Sequence, residues 1–95
     1  MAIGVLLLQL QLPACKSLKE KRSRLKPLMA RLHREFNISV AELARQDVWD
    51  EATIGCAMIS NEHQFSESSL QTVVCWLNKN WPDVSLVDDH IEIIT

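Results

Sequence analysis

The residues best placed to do chemistry are cations. Lys19, Lys21, Arg22, Arg24 and Lys26 crowd one short stretch, and nothing in them but Ser23 and Leu25 is uncharged. Together their side chains suit binding of phosphate or another anion. Lys19, Arg22 and Lys26 follow each other at i, i+3 and i+7, so on a helix they form one ridge and repel each other. At a helix N-terminus each would also oppose the macrodipole. A chain that accepts both costs presents either a site for nucleic acid, RNA or the ribosome in particular, or a face that is merely solvated. An acidic protein surface is the third possibility.

Asp47 and Trp49 form a second candidate, in the polar segment Gln46–Glu51. A Trp on a short turn can stack on a base or anchor a partner. It can equally fold back over its own hairpin while Asp47 closes the turn. Catalysis finds less support. His33, His63 and His90 are far apart in sequence, and no nucleophile–base pair can be assembled around them. Cys15, Cys56 and Cys75 are widely spaced and odd in number, which argues against a disulfide framework or a zinc site and for free thiols in a reducing compartment. No metal, no cofactor and no enzymatic activity are expected.

Charge is unevenly distributed. Residues 1–37 hold eight Lys/Arg against Glu20 and Glu35, whereas residues 38–95 hold Arg45 and Lys79 against ten acids. The net charge of −2 therefore conceals a dipole along the chain. The 95 residues suit one domain spanning 1–95. The apolar N-terminal run is too short for a membrane span and lacks the marks of a signal peptide, so a cytoplasmic protein is expected.

Five segments must position these groups, with one hairpin among them. Ile3–Leu12 alternates as a strand, with Leu6, Leu8, Leu10 and Leu12 on one face and Ile3, Val5, Leu7, Gln9 and Gln11 on the other. Pro13 ends it. Ser17-Leu18-Lys19-Glu20 reads as a capping box opening an amphipathic helix over 18–36, and Asn37 suits a left-handed C-terminal cap. Pro27 opposes a continuous helix, so either the helix is kinked there or a basic loop precedes a shorter one; the spacing of Leu18 and Leu25 favours the kinked helix. Ile38–Arg45 and Ala52–Ser60 read as an antiparallel hairpin, with Gly55 and Ala57 on a face that a helix could approach. A second helix is predicted over 66–80, closed by Pro82, and a last strand over 84–94 with Val87, Ile91 and Ile93 on one face.

The order strand, helix, strand, strand, helix, strand predicts an α+β fold. It is a ferredoxin-like βαββαβ sandwich, a four-stranded antiparallel sheet with two helices on one face. Leu6, Leu8, Leu10, Leu12, Val87, Ile91 and Ile93 should lie under the helices. The opposite face should stay open and carry Ile3, Val5 and Leu7 with Ile54, Cys56 and Met58. Val5 and Leu7 are then candidate partner contacts in a homodimer.

The segments Ser17-Leu18-Lys19-Glu20-Lys21-Arg22-Ser23 and Phe36-Asn37-Ile38-Ser39-Val40-Ala41-Glu42 carry a resemblance to a family, as do Gln46-Asp47-Val48-Trp49, Gly55 ahead of Ser60-Asn61, and Val87-Asp88-Asp89-His90-Ile91-Glu92-Ile93. In these the chain resembles the YlxP-like family of small bacterial proteins of unknown function. The resemblance implies a ferredoxin-like fold and a frequent genomic position beside translation genes. It supplies no catalytic residues.

Overall fold

A computed structural model describes all residues, Met1–Thr95. The elements are β1 (Ala2–Gln11), α1 (Leu18–Glu35), β2 (Ser39–Ala44), β3 (Glu51–Ser60), α2 (His63–Asn80) and β4 (Ser85–Ile94). The strands form one antiparallel sheet in the order β2-β3-β1-β4. This is the ferredoxin-like arrangement. α1 lies over the β2 side of the sheet and α2 over β1 and β4.

β1 is central, and its alternation sets the core. Leu6, Leu8, Leu10 and Leu12 are buried beneath the helices with Leu25, Leu28 and Leu32 of α1 and Leu70, Val73 and Leu77 of α2. Ile91 and Ile93 pair with Leu6 and Gly4 and share that face, as expected. Val87 does not. The β1–β4 register shifts between Gln9 and Leu10, so Val87 falls in a bulge and is 62% exposed beside Asp88.

The open face also differs from expectation on β3. Ile54, Cys56 and Met58 pair with Leu8, Leu6 and Gly4, which puts them under the helices, and Ile54 and Cys56 are buried there. Gly55 and Ala57 are on the open face instead. Strand alternation separates two sets of residues but does not say which set faces in; register does. The close approach to a helix occurs at Gly4, where a Cβ would lie 2.8 Å from Leu70 Cδ1 and 3.3 Å from Ser66 Cβ. Gly55 is instead roofed by Leu43, which shares the open face with Ala41 by strand alternation.

α1 is one helix through Pro27. Pro27 and Ser23 are both exposed, so the carbonyl that Pro27 leaves without its helical partner faces water rather than the core. That spares the further cost of burying an unpaired carbonyl. The capping box is half formed. Ser17 Oγ accepts from Glu20 N–H at 3.0 Å, but the Glu20 carboxylate turns to Arg24 at 3.6 Å. Asn37 adopts no left-handed conformation. The chain leaves the helix in extended backbone at Phe36 (φ −127°, ψ 147°), whose ring packs edge-on against Trp76 at 5.8 Å. α2 begins at His63, ahead of the predicted Ser66, because Ser60 Oγ accepts from Glu62 N–H at 3.3 Å and lies 2.6 Å from Ser66 Oγ.

Candidate nucleic-acid interface

The five cations of the basic run divide into two groups. Lys21 is 1% exposed and therefore no anion site. Its ammonium donates to the carbonyls of Arg45 at 2.6 Å and Val48 at 2.7 Å, and lies 2.9 Å from Glu42 Oε2. It sits on the helix stripe of Leu25, Leu28 and Leu32, so burial was forced on it by position, and two hydrogen bonds and an ion pair compensate its charge.

Arg24 is also committed internally. Its guanidinium donates from Nε to Asp83 Oδ2 at 2.9 Å, from Nη2 to the Asp83 carbonyl at 2.6 Å, and from Nη1 to the Pro13 carbonyl at 2.8 Å. The hydrogen bond to Asp83 holds its pKa above the ordinary arginine value. Arg24 thus ties α1 to the loops on either side of the sheet's end, and the fork geometry that would bind a phosphate is occupied.

Lys19, Arg22 and Lys26 remain exposed, and none forms an ion pair. At about 100° per residue, they lie on the flank of α1 turned away from Arg24. Arg31, on the Arg24 side, stands over the Trp76 ring at 5.5 Å and pairs with Glu35 at 2.9 Å. The free ridge therefore faces away from α2, on the β2 side. Lys16, just before the cap, and Arg34 are likewise exposed and unpaired. Lys16 precedes the helical pattern and lines a hollow with Asp50 at the β1–α1 loop.

The sequence dipole becomes a spatial one. β4, with Asp88, Asp89 and Glu92, is the sheet edge opposite β2, and the cationic flank of α1 lies at the β2 side. The separation is partial, because Glu42 of β2 and Asp47 and Asp50 of the β2–β3 loop share the β2 side with the cations.

Asp47 and Trp49 both lie in the exposed loop between β2 and β3. Trp49 is 52% exposed and takes no part in the core, so it does not fold back over the hairpin. The turn is closed by Val48 N–H donating to the Arg45 carbonyl at 3.0 Å, not by the Asp47 side chain. Lys21 grips the same loop, which brings Trp49 to the α1 end that carries Lys19 and Arg22.

Val5 and Leu7 are half-buried on the open sheet face. Around them lie Gly55, Ala57 and Ala41, with the exposed Leu43, Ile59 and Ile94 at the margins. A shallow hollow of about 210 Å³ opens between Val5, Ala41, Leu43 and Ala57. On its other half the face is polar: Thr53 Oγ1 donates to Gln9 Oε1 at 2.7 Å, and His90 Nε2 lies 3.8 Å from Glu92.

The histidines are placed on three elements. His33 Nδ1 is 2.8 Å from the Ile38 carbonyl, and His63, the first residue of α2 rather than a loop residue, is 3.5 Å from Glu67. The three cysteines are free; Cys15 and Cys56 are buried and Cys75 is exposed. Burial pushes the Cys56 thiol up to about 11. No three His, Cys, Asp or Glu side chains converge as a metal site would require. No helix is long and apolar enough to cross a membrane.

Two comparisons place the chain among known proteins. It is 35% identical over 68 residues to the uncharacterized protein YlxP of Bacillus subtilis, covering 72% of this chain and 73% of that one. Residues 3–91 match the family described as a protein of unknown function, DUF503. That stretch takes in every element of the sandwich, the cationic ridge and the Trp49 loop. The chain therefore belongs to the DUF503 family, to which the resemblance carried by its capping box, hairpin loop and acidic last strand had pointed.

Proposed function

We propose that this protein is a non-enzymatic binding module that engages RNA, ribosomal RNA being the natural class of target, through Lys16, Lys19, Arg22 and Lys26. The observation that carries this reading is the division of the cations. The fold engages Lys21, Arg24 and Arg31 with partners of its own, yet leaves the ridge Lys19–Arg22–Lys26 exposed and unpaired on the side away from α2. The ridge from Lys19 to Lys26 extends about 10 Å, a footprint for a few phosphates and not for a long duplex tract. Three or four neutralised phosphates on a single strand give a slope of log K against log salt of about −2 to −3. RNA binding measured by anisotropy at several salt concentrations tests this. The combined variant Lys19→Glu, Arg22→Glu, Lys26→Glu is expected to lose binding while its thermal midpoint stays within about 2 °C of the parent's, since exposed substitutions of this kind change stability little. A triple variant that binds like the parent overturns the reading.

A second reading is favoured by the open sheet face. Its occupant would be a second copy of this chain. Four strands at about 4.8 Å spacing and ten residues at about 3.3 Å rise cover roughly 600 Å² in plan, close to the ~800 Å² per partner of a stable interface. Charge complementarity gives the orientation. Arg45 on the β2 edge and Asp88 on the β4 edge lie at the same end of the face. A two-fold axis parallel to the strands sets each Arg45 over the Asp88 of the other copy while the apolar centres meet. Sedimentation equilibrium at micromolar concentration decides between a mass of 10.8 kDa and its double.

A further inference from the structure

The loop between β2 and β3 is held more firmly than its own side chains explain. Lys21 Nζ binds the carbonyls of Arg45 and Val48, the Val48 N–H closes onto Arg45, and the Asp50 carbonyl accepts from Leu12 N–H at 2.9 Å. Arg45 is kept at φ 60°, a left-handed conformation that costs a non-glycine residue about 1 kcal/mol. A tryptophan has the most apolar area to bury of any side chain. Here the backbone is fixed and the indole of Trp49 is left half in solvent.

The surroundings indicate what the indole meets. Trp49 is one peptide unit from the carbonyl that Lys21 holds, so it stands at the first turns of α1, where Lys21 points to the core and Lys19 and Arg22 point to the outer flank. On its other side Asp50 and Lys16 line one hollow between the two loops. An exposed, pre-positioned aromatic ring beside free cations is the combination that binds single-stranded polynucleotide, the cations taking phosphate and the ring taking a base. We propose that Trp49 is a stacking platform for an unpaired base of single-stranded RNA whose phosphates run along Lys16, Lys19 and Arg22. This rests on the RNA reading above and narrows it, because a duplex offers no unstacked base. Asp47 and Asp50, two positions before Trp49 and one after it, carry exposed carboxylates. They repel phosphate and accept hydrogen bonds from base amino groups and ribose hydroxyls, so the strand lies with its backbone toward α1 and its bases toward the loop.

The test compares a twelve-nucleotide single-stranded RNA with the same sequence paired into a duplex, by anisotropy and by intrinsic tryptophan fluorescence. The single strand is expected to bind at least about tenfold more tightly and to quench the emission. Trp49→Leu, an exposed substitution, is expected to abolish most of the quenching and weaken binding about tenfold, with the salt slope retained. If Trp49→Leu binds and quenches like the parent, or the duplex binds as well as the single strand, the stacking assignment is overturned while the cationic ridge stands. If the parent binds neither RNA, the RNA reading falls and this inference with it.

Discussion

Lys21 Nζ and Glu42 Oε2 are 2.9 Å apart between α1 and β2, and the same ammonium closes the β2–β3 loop through two carbonyls. One buried cation thus joins a helix, an edge strand and a hairpin tip. Lys21→Met keeps the length of the side chain and removes the charge, leaving the two carbonyls and a largely enclosed carboxylate without their donor. A loss of about 3 kcal/mol is expected, as for removing one partner of a buried pair, read from urea denaturation. A loss below about 1 kcal/mol would mean that the pair behaves as a surface one.

Arg24 should separate from its neighbours in the same way. Arg24→Ala removes three hydrogen bonds to Asp83 and Pro13, so a cost of about 1–2 kcal/mol is expected. Arg22→Ala, exposed and unpaired, is expected to change stability by less than about 0.5 kcal/mol. Equal effects on the two melting curves would contradict the division of the basic run into structural and free cations.

The two glycines of the sheet make a contrast. In Gly4→Ala the added Cβ would meet Leu70 Cδ1 at 2.8 Å and Ser66 Cβ at 3.3 Å under α2, where both residues are fully buried and have little room to yield. A destabilisation of about 1–3 kcal/mol follows. In Gly55→Ala the obstacle is Leu43, a side chain 53% exposed on the open face, which can swing into solvent. Gly55→Ala is expected to cost clearly less, and the reverse order in thermal melts would place the wrong glycine under the helix.

Cys56 predicts a pH dependence. Its folded-state pKa of about 11 exceeds the ordinary value of 9.0 because burial disfavours the thiolate. Between these values the unfolded chain has lost the thiol proton and the folded chain has kept it, so stability falls as pH rises from 9 toward 11 and is unaffected by this group below 9. Cys56→Ala should flatten the fall in urea midpoint between pH 8.5 and 10.5. At neutral pH a thiol reagent should label Cys75 in the folded protein, and Cys56 only on unfolding.

For the sheet-face reading, Leu7→Lys should convert a dimer to a folded monomer, because Leu7 is on the face away from the helices. Circular dichroism unchanged with halved mass is the expected pair of results. Unfolding would show instead that Leu7 is essential to the core.

Much of this was legible in the sequence, because local patterns have local causes. The Leu6–Leu12 alternation, the Ser17 cap, the leucine stripe of α1 and the polar segment between two β-rich runs each follow from backbone periodicity and capping chemistry. They were enough to determine the element order, hence the sandwich, and the placement of Lys19, Arg22 and Lys26 on one exposed ridge. What they could not determine is how the strands slide past one another. The pairing of Leu8 with Ile54 decides which β3 residues face the helices, and the bulge at Val87 leaves that apolar group outside. A strand reads the same from either side, and register comes from contacts between segments distant in the chain. The same holds for charge. Five cations in one run look alike in sequence; only the packing of the β2–β3 loop against α1 buries Lys21, and only the return of the chain at Asp83 occupies Arg24, because a charge acquires its role from the partners the fold brings to it.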